Sequence, residues 1–451
     1  MDNYLYEITE ESAKDETVAA AAQVIVDRVK AEYGQVFAKS TVTLNGAKAP
    51  NGNRDSETNN GDLICDAMVW QVMQNKDGLK VADDMVVAIT NGGGIRAEIK
   101  PGDVTKQDIN TVLPFGNTVA LVYVTGAELL EALEASTYCT PTSVGGFPQV
   151  AGIEFTLDTT KEYDAEEETY PGSTYYGPAS INRVTIDSIN GKAFDPKATY
   201  AVITNNFCAA GGDTYYAFAA AEEQFDTGVP LDEAVMAYVT EELGGVIGEE
   251  YAEPQGRIFI KGVNPFADVA EDAYYKDAVV WARDNGVTTG VSATAFDPDA
   301  PITREQAMTF LYRYVQSIGG GFTGAWVFPL TFADTAEISS WASEALHYGV
   351  MKQIMQGDDQ NCVNPGDPIT REQLITMLYR FVEANGGDIE VDPETNYLSF
   401  GDLPEVSAYA LSALVWAQDK GILKGDEQGN LMPKGIATRA QFVTMLYRFV
   451  G

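Results

Sequence analysis

The chain predicts a mixed α+β domain followed by an all-α bundle, and two patterns carry that expectation. Between residues 41 and 260, β-rich runs at 86–90, 119–124, 153–157 and 200–204 alternate with helix-like ones such as 126–137. Such alternation belongs to a mixed α/β layer architecture. Past Lys261 the pattern becomes an internal repeat, with units opening at Phe266-Ala267-Asp268, Phe332-Ala333-Asp334 and Phe400-Gly401-Asp402. At 451 residues the chain is also too long for one hydrophobic core.

Taken in order, residues 15–33 have helical periodicity. Val18, Ala21, Ala22, Ile25 and Val29 share one side, and Asp15 and Glu16 stand at the start, where the helix dipole favours negative charge. The Glu166-Glu167-Glu168 run, among Gly, Pro and Tyr, reads as a solvated loop. Each repeat unit carries a helix with paired aromatics (Tyr274 and Trp281, Trp341 and Tyr348, Tyr409 and Trp416), then a glycine (Gly290, Gly357, Gly425). An arginine follows fourteen residues later in every unit: Arg304, Arg371 and Arg439. Thr303, Thr370 and Thr438 precede these arginines, where a helix N-cap belongs. Glycine-rich 319–321 and the loop 386–397 join the units, which are bounded at 263–318, 319–385 and 386–451.

A net charge of −37 and a pI near 4.2 argue against nucleic acid or an anionic membrane as partner. They do not exclude a small phosphate ester, which a few local arginines and backbone N–H groups can hold. No apolar run is long enough to span a bilayer, and no secretion signal opens the chain. The four cysteines are widely spaced and form neither a zinc nor a redox motif; Cys65, in an apolar helical stretch, is expected to be a buried thiol.

The repeats resemble S-layer homology repeats, from Phe266 to Gly451. That resemblance implies three helical hairpins around a pseudo-threefold axis, which bind anionic, often pyruvylated, cell-wall polysaccharide in grooves between units. The T-R-[AE]-[EQ] arginine of the family falls on Arg304, Arg371 and Arg439, and its opening aspartate on Asp268, Asp334 and Asp402. A guanidinium can fork onto a carboxylate; equally, an arginine in a first helical turn can pair with the acids of this chain. The second unit has Gln353 where the others have Gly286 and Gly421, and the third has Ala437 for isoleucine, so the grooves need not be equally competent. His347, the only histidine, aligns with Val280 and Val415 and is expected to be structural.

Residues 15–261 resemble the C-terminal, substrate-specificity domain of the 5′-nucleotidase family, on four ordered motifs. These are Arg54-x-x-Glu57, Asn91-Gly92-Gly93-Gly94-Ile95-Arg96, Leu113-Pro114-Phe115-Gly116 and Asn206-Phe207-x-x-x-Gly211-Gly212-Asp213. The resemblance implies that Phe115 and Phe207 clamp the base, Arg54 and Arg96 hold the phosphate, Asp213 accepts from the ribose hydroxyls and Asn91 meets a base edge. Taken singly, a Phe in a Pro-Phe-Gly turn is an ordinary core anchor and Gly-Gly-Asp an ordinary turn. Thr58 and Asn59 stand where some relatives carry a further basic residue, which implies a weaker phosphate grip.

In that family a separate metallophosphatase domain holds two divalent metals through histidine-bearing motifs, and a single histidine cannot supply them. The chain alone is therefore expected not to hydrolyse phosphate esters, and to contain no metal or other cofactor site. Residues 1–14 read as a remnant of such a domain, 15–40 as the interdomain helix and 41–262 as the nucleotide-binding domain. The implied partners are a nucleoside 5′-monophosphate or nucleoside, a wall polysaccharide, and a metallophosphatase domain encoded upstream or acting in trans. The implied place is the bacterial cell surface. The alternatives are a non-catalytic nucleotide-binding surface protein and a structural S-layer component.

Overall fold

In the computed structural model, residues 9, 12–322, 329–392, 400–426 and 428–450 are described. They form two compact units, Met1–Lys261 and Gly262–Gly451. Most of the expected remnant at 1–14 and part of the joining loop at 386–397 lie outside the described residues.

The first unit is built on a five-stranded sheet. Its strands are β1 (Val86–Asn91), β2 (Thr118–Thr125), β3 (Pro148–Ala151), β4 (Thr199–Asn205) and β5 (Glu223–Pro230), in the spatial order β5-β2-β4-β1-β3. β1 and β4 run parallel, with Ala201 opposite Val86, while β2 and β3 are antiparallel to them. One face of the central strands (Ala88, Leu121, Ala201, Ile203) joins a core with Leu63, Ile64 and Met68 of the helix α2 (Asn59–Met73). The other face also buries Val87, Ile89, Val122 and Val202 completely, and α3 (Gly126–Ser136) lies against β2 and β4. Burial on both faces explains why β1 reads as an unbroken apolar run rather than an alternating one.

The helix α1 (Glu16–Tyr33) forms where its periodicity predicts, capped by the Asp15 carboxylate accepting from the N–H groups of Thr17 and Val18. None of its residues is buried, so its apolar side, including Val18 at 66% and Ile25 at 64% exposure, is uncovered within this unit. The Glu166–Glu168 run corrects the expected loop. It lies in a strand, Ala165–Thr169, paired with Tyr176–Pro178 in a two-stranded ribbon. Every residue of that strand is exposed, so its composition resembles that of a loop although its backbone is paired.

The second unit carries three successive helix pairs, α4 (Lys276–Asp284) and α5 (Arg304–Ser317), α6 (Ser343–Met351) and α7 (Arg371–Ala384), and α8 (Leu411–Asp419) and α9 (Arg439–Val450), but the helices pack between repeats rather than within the expected hairpins: α5 against α6, α7 against α8 and α9 against α4. A ring of backbone hydrogen bonds closes them. The Ile302 N–H donates to Ala437 O, Ile369 to Ile302 O and Ala437 to Ile369 O, at 3.0, 3.0 and 2.9 Å. Because backbone makes this ring, Ala437 substitutes for isoleucine without opening it. Thr303, Thr370 and Thr438 cap their helices, and in each case a glutamine (Gln306, Gln373, Gln441) accepts from the capping residue's N–H through its side-chain oxygen. His347 lies on α6 with Nδ1 2.6 Å from the Ser343 carbonyl one turn back, the structural role expected of it.

Candidate functional site

The parallel pairing of β1 with β4 brings Asn91 and Asn205 to the same sheet end, and the antiparallel partners start there. Four connections therefore converge at that end: the glycine turn Gly92–Gly94 after β1, the 113–117 loop before β2, the 145–147 loop before β3 and the one-turn helix Asn206–Ala209 after β4. The carboxyl ends of parallel strands, where backbone directions diverge, are the usual place for a ligand crevice in α/β sheets. Glycine is required for this convergence. A Cβ on Gly92 would fall 1.5 Å from Asn53 O, and one on Gly212 2.5 Å from the Phe207 ring.

Phe115 and Phe207 are 58% and 45% exposed, so neither ring is a core anchor. The Arg96 guanidinium carbon lies 5.5 Å from the centre of the Phe115 ring, and its side chain makes a 3.4 Å hydrogen bond to Gly93 O. Arg54 is fixed by its backbone, donating to Lys48 O and accepting from Val144 N–H, while its buried Nε has no acceptor among the described residues. Asp213 adopts a left-handed φ of +53° and has its pKa raised by burial, against the opposing pull of the Asn91 hydrogen bond and the Arg54 charge. Thr90, Gly94, Leu113, Phe115, Asn117 and Asn205 line a small recess beside the Phe115 ring.

Asn91 departs from its expected role. It is 5% exposed, its amide donates to Asp213 Oδ2 at 2.9 Å and its carbonyl accepts from Asn205 Nδ2 at 3.0 Å. It orients the carboxylate rather than presenting an open edge to a base. Asn205, which sequence reasoning missed, is the hub. Its amide donates to Thr90 Oγ1 and Asn91 Oδ1, and its oxygen accepts from Cys208 N–H, capping the turn that carries Phe207. A signal was available, since Asn205 ends a strand and precedes Asn206-Phe207, an N-cap position. Thr58 and Asn59 serve as the cap of α2 and as a buried tie to Thr43 O and Tyr251 O.

In the second unit each of the three opening aspartates holds a backbone turn. Asp268 accepts from the N–H groups of Phe296 and Asp297, Asp334 from Val363 and Asn364, and Asp402 from Leu431 and Met432, at 2.6–2.9 Å for the shorter contacts. The second donor in each pair (Asp297, Asn364, Met432) has φ between +49° and +57°, a turn that aims two N–H groups at one carboxylate. The three arginines also tie neighbours. Nε of Arg304 donates to Val363 O, that of Arg371 to Leu431 O and that of Arg439 to Phe296 O, so each unit's arginine holds the loop of the next around the axis. Arg439 is 5% exposed and lies between the Phe296 and Phe310 rings, with Nη2 buried and without a partner among the described residues. Arg304 and Arg371 instead line cavities of about 560 and 380 Å³.

Residues 36–220 match the family model for the 5′-nucleotidase C-terminal domain, and 265–308, 331–375 and 399–443 each match the S-layer homology domain. The trifunctional nucleotide phosphoesterase protein YfkN of Bacillus subtilis is 37% identical over 207 residues, covering 46% of this chain and 12% of that protein. Protein 5NUC of Lutzomyia longipalpis is 30% identical over 261 residues, covering 55% of this chain and 42% of that one. Among solved structures, a 5′-nucleotidase precursor from Thermus thermophilus is 32% identical with a TM-score of 0.44, covering 55% of this chain and 43% of that one. The chain spans less than half the length of these relatives. It carries a 5′-nucleotidase C-terminal domain followed by three S-layer homology domains, and the latter indicate anchoring at the cell surface.

Proposed function

We propose that the first unit recognises a nucleoside 5′-monophosphate or nucleoside and that the second ties it to an anionic cell-wall polysaccharide. The observation that carries the nucleotide reading is the pair of exposed rings, Phe115 and Phe207, at a sheet end that also gathers Asp213, Arg54 and Arg96. A flat base stacks between two rings at roughly 1–3 kcal/mol per face. Asp213, held by Asn91, accepts from the ribose hydroxyls. Arg54 and Arg96 have guanidinium donors left over for a phosphate, within a chain of net charge −37 that otherwise repels one.

Hydrolysis is a separate matter. The two divalent metals that the family resemblance implies need a cluster of imidazole and carboxylate donors, and among the described residues no three His, Cys, Asp or Glu stand together in that way. The donor set present does not fit that pair of ions, and no hydrolytic step is assigned to these residues. In this reading a metallophosphatase domain acts on the nucleotide that this unit holds. The alternative, a nucleotide-binding surface protein without hydrolysis, differs only in that partner.

Calorimetry with AMP and adenosine tests the site. Phe115→Ala and Phe207→Ala are each expected to weaken binding about tenfold or more. Binding unchanged in both variants sinks the clamp.

A further inference from the structure

The recess beside the Phe115 ring holds two polar side chains for which the fold has no use. Elements that carry both exposed rings meet there, since Phe115 lines it directly and Asn205, which also lines it, caps the turn that carries Phe207. The side chains of Thr90 and Asn205 are already committed. The Asn205 amide donates to Thr90 Oγ1 and Asn91 Oδ1, and its oxygen accepts from the Cys208 N–H. Asn117 and Asp232 remain, and among the described residues neither side chain has a hydrogen-bond or ion-pair partner.

Backbone places Asp232 there. The Leu231 N–H donates to Asn117 O at 2.8 Å, which fixes the start of the short helix Leu231–Ala237 against the loop that carries Phe115. Asp232 is partly buried at that junction, whereas the adjacent Glu233 is exposed and does not line the recess. An acid in a first helical turn is ordinary by itself. A partly buried one that lines a recess beside an exposed aromatic ring, with no partner of its own, is not.

We infer that Asp232 reads an exocyclic amine on the base and so selects an amino-bearing nucleotide. This rests on the reading of the first unit as a nucleotide site, and it names the feature of the base that the site selects. Stacking between Phe115 and Phe207 does not discriminate, because every base has a π-face. Nor does Asn117, whose amide carries both a donor and an acceptor and can turn to suit either. An ionised carboxylate only accepts. A base edge that brings an amine to Asp232 makes a charge-assisted hydrogen bond, while one that brings a carbonyl oxygen meets repulsion.

The test is calorimetry of the full chain with two pairs of nucleotides, each pair differing by one amine: AMP against purine riboside 5′-monophosphate, and GMP against IMP. In at least one pair the amino member is expected to bind about tenfold more tightly. Asp232→Asn is expected to bring that ratio within about twofold, while Glu233→Gln, which removes the same charge one residue on, leaves it unchanged. Both members of a pair are measured on the same variant, so a loss of folded protein does not change the ratio. Equal affinities within both pairs, or a ratio that survives Asp232→Asn, overturns the role of Asp232 and leaves the nucleotide reading intact. A wild-type chain that binds none of the four nucleotides overturns both.

Discussion

The two units use arginine in opposite ways. In the first unit Arg54 and Arg96 come from unrelated loops, and their guanidinium groups are only loosely held by the protein. In the second, Arg304, Arg371 and Arg439 come from one repeated motif, and each ties the loop of a neighbouring unit through Nε. A repeat bundle has no continuous sheet to hold its units together, so its motif residues stitch the interfaces before they can meet a ligand. A motif arginine is thus a structural fastener first in the bundle and a ligand group first at the sheet end.

The sharpest way to break this contrast is to remove one arginine from each region. Arg439→Ala is expected to destabilise the second unit by about 2–4 kcal/mol, through a lost carbonyl tie and lost packing against Phe296 and Phe310. Denaturation followed by the fluorescence of Trp281, Trp341 and Trp416 reads that loss. Arg96→Ala is expected to leave unfolding of the first unit unchanged while weakening AMP more than adenosine. Equal stability losses in the two variants would erase the distinction.

Asp334→Ala comes next, at about 2–3 kcal/mol, since it strands two N–H groups in the unit's interior. A variant that melts like wild type but loses wall binding would return the aspartate to the polymer site.

A third test concerns pH. Asp62 of α2 is fully buried, and burial together with neighbouring Glu57 pushes its pKa up to about 9, against the pull of Arg257. A carboxyl whose folded value is raised contributes stability below the unfolded value near 4 and loses it as pH rises towards 9. Asp62→Asn is therefore expected to flatten the decline of first-unit stability between pH 5 and 9, leaving the second unit unaffected. A slope unchanged in Asp62→Asn would assign the titration elsewhere. Asp213, also raised by burial, adds a binding counterpart: nucleoside affinity should fall with acidification at a higher pH than an ordinary aspartate would set.

The smallest expected effect is a gain. Gln353 has φ +58° where Gly286 and Gly421 have +67°, so Gln353→Gly should stabilise the bundle by up to about 1 kcal/mol. Destabilisation would show that the glutamine side chain makes up for its backbone.

Much of this was legible in the chain because it is local. Caps at Thr303, Thr370 and Thr438, the strands at 86–91 and 199–205, and the structural place of His347 follow from spacing and residue type alone. The exposed strand Ala165–Thr169 was not legible, because its pairing leaves no apolar alternation to read. Nor was the role of Asn91, which depends on Asn205 arriving beside it across a sheet from more than a hundred residues away.

The sequence by itself determined the two kinds of unit, the threefold repeat and the set of residues from which a nucleotide site can be assembled. Only the tertiary structure decided which of them are available to a ligand. Phe115 and Phe207 are left exposed, Asn91 is turned inward onto Asp213, and of three identical arginines Arg304 is left partly exposed while Arg371 and Arg439 are buried, the last between two rings. Residue type and spacing fix what a side chain can do; burial and neighbouring charge fix what it has left to do it with.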